Sequence, residues 1–207
     1  FLLYLAGATV LLASLVAMRQ DNLKARLAYS TISQLGYVVL GALLASTSGI
    51  IGSAMHIATH AFGKITLFFC AGTILVATHK TKISQMRGLG RRMPITMTAF
   101  LIASLSIIGL PPAGGTWSKW YLAIGTLEAG QLALLAVLMI SSLLNIAYLL
   151  PIPLRAFFSA PSDDNVPGGT HEAPLFSLAA IIMTTLGCLV LFFYPEPLYR
   201  LASQIGQ

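Results

Sequence analysis

Long apolar runs separated by short polar segments dominate the sequence. Most of these runs hold about 20 residues, which is the length that a helix needs to cross ~30 Å of hydrocarbon. The pattern predicts an all-α polytopic membrane bundle of about six spans that forms a single transmembrane domain over residues 1–207. The predicted spans are residues 2–18, 28–46, 51–77, 95–127, 132–150 and 174–194.

The fourth predicted span is discontinuous, because the segment GLPPAGG interrupts it before TWSKWYL continues the apolar pattern. Two prolines without a backbone donor and two glycines that permit non-helical angles favour a helix break over residues 111–116. These residues are Pro111, Pro112, Gly114 and Gly115. Irregular backbone at membrane depth persists only when it is buried in protein or lines a watery cavity. The alternative is a plain loop between two short interfacial helices, with Lys119 at the lipid headgroups.

Composition agrees with a lipid environment. Hydrophobic residues make up 57% of the chain and charged residues 9%, whereas soluble domains carry about 25% charged residues. The net charge is +6, but most of the basic residues lie near residues 19–26 and 80–92, beside predicted spans. The positive-inside rule explains this placement and puts both segments on the cytoplasmic side of the cell's inner (plasma) membrane. Nucleic acid is therefore excluded as a partner.

The sequence contains no candidate residues for metal binding or redox chemistry. Cys70 and Cys188 are each flanked by apolar residues and belong to no metal-ligand spacing, so we interpret both as packing residues. We expect no cofactor, no metal site and no catalytic site in this chain, and the pattern leaves open whether it is a subunit of an enzyme.

Three basic residues follow one another at intervals of four in MHIATHAFGKITLFF, namely His56, His60 and Lys64. This spacing places them on one helix face. A cation in the bilayer core costs ~2.5–3.5 kcal/mol on insertion scales, so such a residue is by default a functional candidate. Because histidine titrates near neutrality, the stripe suits proton relay. The alternative is that the histidines bond neighbouring helices while Lys64 reaches toward the interface.

The acidic residues all lie in predicted loops or at span ends, so the sequence gives Lys64 and Lys119 no carboxylate partner. They are Asp21, Glu128, Asp163, Asp164, Glu172 and Glu196. We therefore expect the countercharge to come from another subunit or from sequence outside this chain. Lys24 lies in a predicted linker, where a basic residue either sets the orientation or serves the relay.

Three motifs occur in order over residues 20–125: DNLKARLAYSTISQLGYVVLG, HIATHAFGKITLFFCAG and GLPPAGGTWSKWYL. Together they resemble the antiporter-like subunits of respiratory complex I, Mrp-type cation/proton antiporters and membrane-bound hydrogenases. Those subunits contain two inverted five-helix repeats, and this chain resembles the second repeat plus one extra helix. Since the chain also opens inside an apolar run at Phe1, we expect it to be the C-terminal portion of a longer subunit.

The resemblance implies a proton path through Lys24, His56, His60, Lys64 and Lys119. By the resemblance Lys24 links the two repeats, the histidines relay protons, and Lys119 exchanges them with one side of the membrane. The charged residues of the first repeat have no counterpart here, so the path is incomplete.

The resemblance further implies a proton-conducting subunit of a multisubunit antiporter. The run QDNLKARLAYSTISQLGY and the segment EAPLF are closest to the D-type subunits of Mrp antiporters. The alternative is a proton-pumping subunit of an NADH:quinone oxidoreductase or hydrogenase complex. The implied partners are other membrane subunits, the lipid bilayer, protons and, in an antiporter, sodium. A third hypothesis, a passive membrane anchor, gives the buried basic residues no role.

Overall fold

The computed structural model describes residues 1–160 and 172–205, which are mainly helical. Two short 3-10 turns, Ile83–Met86 and Leu89–Arg91, lie between the third and fourth α-helices. The α-helices are α1 Leu2–Arg19, α2 Leu23–Leu43, α3 Thr47–Thr78, α4 Pro94–Ile108, α5 Gly115–Glu128, α6 Leu132–Leu149, α7 Pro151–Phe158, α8 Leu175–Phe193 and α9 Glu196–Ser203. Asp163 and Asp164, which the sequence places in a loop, lie outside the described residues.

Membrane-spanning length is reached by most of the predicted spans. By length and composition α1, α3, α8 and the combined α6–α7 segment Leu132–Phe158 are each able to cross a membrane. The helix α2 has 21 residues, which corresponds to about 31 Å at 1.5 Å per residue, but it is more polar than the others. It packs between α1 and α3. The fold is thus the helical membrane bundle that the sequence predicts.

The two basic segments lie at the same end of the bundle. The backbone N–H of Leu23 donates to Thr81 O at 2.9 Å, and that of Ile83 donates to Asp21 O at 2.8 Å. Because α1 ends and α2 begins beside the segment that follows α3, both loops face one side, as the charge pattern requires. That this side is cytoplasmic stays a prediction.

The helices α4 and α5 together cross the bundle once. The segment that follows α3 at the basic end leads into α4, whereas α5 ends at Glu128, whose carboxylate accepts from Ser48 N at 3.2 Å at the start of α3. This arrangement confirms the predicted discontinuous span.

The interruption occupies residues 109–114, two residues earlier than the sequence suggests. Gly109 has a φ of 90° and closes α4, with its N–H donating to Leu105 O at 2.9 Å. A glycine in the left-handed conformation ends a helix before the prolines are reached. Gly115 is the first residue of α5 instead of part of the break. A Cβ on Gly115 would lie 1.8 Å from Ser106 O, so this glycine permits the close approach of α5 to α4.

The close crossing of α3 and α5 positions the candidate site. A Cβ on Gly125 would lie 2.4 Å from Gly49 N, and a Cβ on Gly52 would lie 2.7 Å from Leu122 N. Glycine is therefore required on both helices for their backbones to meet. These contacts join the first turns of α3 to the last turns of α5. Further along α3, His56 reaches Ser118 in the first turns of α5, next to the candidate lysine.

The short helix α9 is absent from the sequence-based prediction. Its residue Ala202 packs in a small apolar cluster with Ile51 and Met55 of α3, and Tyr199 stacks on Tyr121 of α5 with ring centroids 5.4 Å apart. The sequence did not predict this helix because it contains two prolines, and proline usually indicates the end of a helix. Here Pro195 precedes the helix and Pro197 lies in its first turn, where proline is tolerated.

Candidate proton-relay site

The side chains of His56, His60 and Lys64 are all buried along α3, at 1%, 8% and 5% exposure. The ring of His56 is held from two sides. Its Nδ1 lies 2.9 Å from Ser118 Oγ of α5, and its Nε2 lies 3.1 Å from Gln34 Oε1 of α2. Since an amide oxygen only accepts, Nε2 carries the proton in this arrangement and Nδ1 is free to accept from Ser118.

His60 stacks on His56 with ring centroids 5.9 Å apart. On the other side of His56 the ring of Tyr37 stacks at 5.6 Å. The Nδ1 atom of His60 is buried and has no hydrogen-bond partner among the described residues. The two imidazoles are therefore neighbours by stacking, and any proton transfer between them needs an intervening water.

The Lys64 ammonium turns away from the histidines toward α2. It donates to Ser30 Oγ at 2.7 Å and to Leu27 O at 3.2 Å. Both acceptors are neutral, so these contacts solvate the ammonium without cancelling its charge.

Lys119 lies where the helix break exposes the last carbonyl groups of α4. Its Nζ donates to Ile108 O at 3.0 Å and to Ser142 Oγ of α6 at 3.2 Å. It also lies 4.7 Å from the centroid of the Tyr37 ring. The C-terminal end of a helix carries partial negative charge, and an aromatic face attracts a cation. The break thus creates a site for an ammonium group without supplying a carboxylate.

One residue of the break is fixed by a hydrogen bond to another helix. Gly114 lies within the interruption, and its N–H donates to Cys188 O of α8 at 2.9 Å. Pro111 and Pro112 are joined by a cis peptide bond in the same segment. The break is therefore anchored to α8 at its Gly114 end, whereas Pro111 and Pro112 are exposed at the surface of the bundle.

Lys24 is not part of this group in the structure. The sequence places it in a linker, but α2 begins at Leu23, capped by the Asn22 side chain, so Lys24 lies in the first turn of the helix and is exposed. A role for Lys24 in linking this chain to a neighbouring repeat stays a prediction.

The carboxylates that the structure describes are engaged elsewhere. Asp21 accepts from Ser84, Glu128 from Ser48 and Glu172 from Thr96, and Glu196 pairs with Arg200 at 2.8 Å. Over residues 1–160 and 172–205 no carboxylate approaches Lys64 or Lys119 within ion-pair distance.

Sequence reasoning missed the neutral polar residues that complete the site. On α2 these are Ser30, Gln34 and Tyr37, and on α6 they are Ser141, Asn145 and Tyr148, and each of the six is at most 1% exposed. Both sets follow the helical spacing of four and then three residues, which puts each set on one face. A search for neutral polar residues at helical spacing would have found them, whereas a search for charges does not.

Fold and site together define a helical membrane protein that buries two lysines and two histidines beside a broken helix. The family model described as the transmembrane domain of NADH:quinone oxidoreductase and Mrp antiporters matches residues 1–145. The chain belongs to this family, as the three motifs predict.

Individual relatives agree with this membership. The chain is 37% identical over 203 residues to NADH-quinone oxidoreductase subunit N of Desulforudis audaxviator (strain MP104C), covering 93% of this chain and 40% of the relative. A chain in the structure of the Mrp complex from Dietzia sp. DQ12-45-1b has the same fold, with a TM-score of 0.90 at 23% identity over 99% of this chain and 46% of that one. A chain of the archaeal membrane-bound sulfane sulfur reductase matches with a TM-score of 0.87 at 27% identity, over 99% of this chain and 41% of that chain. The chain thus spans less than half the length of these relatives.

Proposed function

We propose that this chain conducts protons across the bilayer as part of an antiporter-like subunit. The observation that carries the proposal is the site of Lys119, whose ammonium is buried and contacts a carbonyl oxygen, a hydroxyl and an aromatic face. Keeping a charge in such a place is costly when no opposite charge neutralises it. A lysine of this kind is suited to alternate between its charged and neutral forms, which is what a relay requires.

The helix break favours proton exchange at this position over a purely structural role for Lys119. Half-helix ends at membrane depth are a common way for transporters to build ion sites. The last carbonyl groups of α4 accept from the ammonium when it is charged, and Lys119 also lines a cavity of about 570 Å³. This cavity is open to the outer surface of the bundle and is lined mainly by apolar residues such as Leu127 and Leu143, so the Lys119 amine lies beside that surface, where we expect it to exchange its proton.

Two kinds of complex fit a proton-conducting chain. A multisubunit cation/proton antiporter, with sodium as the second ion, follows from the Mrp-like motifs and the shared fold. A redox-driven proton pump is favoured by the 37% identity to a subunit N of an NADH-quinone oxidoreductase. In both cases the partners are other membrane subunits. The proteins that copurify with the full-length protein discriminate between them, since flavin or iron-sulfur subunits indicate the redox-driven kind.

The test is the variant Lys119→Gln in the full-length subunit within its assembled complex, reconstituted into vesicles. Proton flux, followed with a pH-sensitive dye, is expected to be lost because glutamine cannot carry a proton from one group to another. Lys82→Gln, at an exposed loop position, is the matched control and should keep the flux. Unchanged flux in an assembled Lys119→Gln complex would refute the proposal.

A further inference from the structure

A groove on the outer surface of the bundle leads to Lys119. The C-terminal end of α4 and the helices α5 and α6 form its walls, and its volume is about 570 Å³. Lys119 and the two residues that accept from its ammonium, Ile108 and Ser142, all line the groove. Volumes of about 300–1,000 Å³ are typical of sites for small ligands. The groove is therefore large enough to hold one.

Lys119 distinguishes this groove from other apolar grooves of the bundle. Among the lining residues that the structure describes it alone carries a charge, and most of the others are apolar, for example Leu135 and Met139. Two further apolar grooves, lined in part by Ala58 of α3 and by Ala99 of α4, have no charged residue among their described walls. A ligand that matches the groove at Lys119 therefore combines an apolar body with a negatively charged group.

The ammonium of Lys119 has a donor left for such a group. A lysine ammonium has three N–H donors, and Lys119 uses two of them, for Ile108 O and Ser142 Oγ. Over residues 1–160 and 172–205 the third meets no hydrogen-bond acceptor. Because the Ser142 hydroxyl accepts from Lys119, it keeps its own hydrogen to donate. An anion at the floor of the groove can thus accept from both side chains.

The depth of Lys119 selects the kind of anion. Lys119 precedes Glu128, where α5 ends, by nine residues, which corresponds to about 13–14 Å at 1.5 Å per residue. Nearly half of a hydrocarbon layer of ~30 Å therefore separates the ammonium from the membrane surface at that end. A phosphate headgroup keeps its charge and stays at the surface, whereas a carboxylic acid can enter the hydrocarbon in its neutral, protonated form.

The size of the groove decides between a lipid chain and a helix of a neighbouring subunit. Two turns of a helix that is ~10 Å wide occupy roughly 850 Å³, which is more than the groove holds. A single acyl chain is narrower, and its far end can leave the open groove sideways into the bilayer. The groove therefore suits a chain of methylene groups better than a helix.

We propose that this groove binds a fatty acid, with its carboxylate on Lys119 and Ser142 and its chain against α5 and α6. The acid arrives neutral from the bilayer and gives its proton to the neutral amine of Lys119, so a carboxylate and an ammonium remain and the total charge is unchanged. The bound carboxylate keeps Lys119 charged. Because a relay needs the lysine to release its proton, the fatty acid inhibits proton flux. This inhibition rests on the proposed function, whereas the binding does not.

The experiment uses a fatty acid with a photoreactive diazirine on its chain, added below saturation to the full-length protein in its assembled complex in vesicles. After illumination the labelled peptides are identified by mass spectrometry. We expect label on α5 and α6, and at least about tenfold less of it in Lys119→Gln, which corresponds to about 1.4 kcal/mol of binding free energy. The matching fatty alcohol, which lacks the charge, should label wild-type protein as weakly.

A second variant blocks the groove and leaves Lys119 in place. Ala123 lines the groove, so Ala123→Phe puts a bulky side chain into it and should remove the label. The matched control is Ala58→Phe, which fills another apolar groove and should leave the label on α5 and α6 unchanged. Label that is absent from wild-type α5 and α6, or that persists in Lys119→Gln or Ala123→Phe, overturns the binding site.

Proton flux separates the binding site from the proposed function. Free fatty acid is removed with albumin after illumination, since it carries protons across the bilayer by itself, and the flux of the labelled complex should fall in proportion to the labelled fraction. Full flux in the labelled complex overturns the inhibition. If Lys119→Gln keeps its flux but loses the label, the proposed function fails and the binding site stands. If Lys119→Gln loses its flux but keeps the label, the function stands and the binding site is overturned.

Discussion

Replacing Gly109 by alanine is expected to disable the Lys119 site by way of the backbone that supports it. Gly109 has a φ of 90°, and a Cβ at this position would lie 2.6 Å from Lys119 Cδ. The left-handed conformation costs a residue with a Cβ roughly 1–2 kcal/mol. In addition, the Lys119 side chain has to move, which breaks its hydrogen bond to Ile108 O at 3.0 Å.

The magnitude follows from adding the two effects. Losing a hydrogen bond to a charged group costs about 1.5–3 kcal/mol, so Gly109→Ala is expected to cost roughly 2.5–5 kcal/mol in total. Gly130 provides a matched control, because it has a φ of 66° but a Cβ added there would meet nothing within 4 Å. Gly130→Ala should therefore cost only the backbone part. Gly72 has neither feature, and Gly72→Ala should stabilise α3 by about 0.5–1 kcal/mol.

The assay measures thermal unfolding and proton flux of the three variants in the assembled complex. The order of Tm should follow the order of these costs, with Gly72→Ala highest, Gly130→Ala next and Gly109→Ala lowest. Flux should fall at least about tenfold in Gly109→Ala alone, since the lost hydrogen bond is worth about 1.5–3 kcal/mol and each 1.4 kcal/mol corresponds to a factor of about ten. If Gly109→Ala and Gly130→Ala lose equal stability and keep equal flux, the close approach of Gly109 to Lys119 contributes neither to stability nor to proton conduction, and the reasoning is refuted.

Two further predictions concern the supports of the site. Gly125→Ala is expected to cost about 1–3 kcal/mol, because its Cβ would press on backbone atoms of Gly49; a Tm equal to that of Gly72→Ala would contradict this. Glu172→Ala is expected to cost about 1 kcal/mol, because the Glu172 carboxylate accepts from Ile95 N at 2.6 Å and from Thr96 Oγ1 at 2.8 Å at the start of α4. Unchanged Tm of the complex would show that α4 needs no acceptor there.

The sequence predicts the fold because the bilayer leaves few solutions for long apolar segments. The backbone N–H and C=O groups of a span have to bond to one another within lipid, which makes the span a helix. The basic residues next to α1 and α3 predict the orientation of the bundle. The break is predictable from Pro111 and Pro112 for the same reason, since they remove backbone donors. Its true beginning at Gly109 is less predictable, because a glycine shortly before a proline pair can either continue the helix or end it. Here Gly109 adopts a φ of 90° and ends the helix.

The lysines and histidines of the site are visible in the sequence because a charge in lipid costs several kcal/mol and therefore stands out. A serine or tyrosine costs far less, and small polar residues also serve ordinary helix packing, so the sequence does not show whether a buried serine such as Ser14 bonds a neighbouring helix. The distances in the structure separate the two cases. Ser14 reaches Ser141 at 3.0 Å from another helix, while Ser104 reaches nothing among the described residues. The same residue type thus occurs both in a hydrogen-bonded cluster between helices and without a partner, and only the packing of the helices distinguishes the two cases.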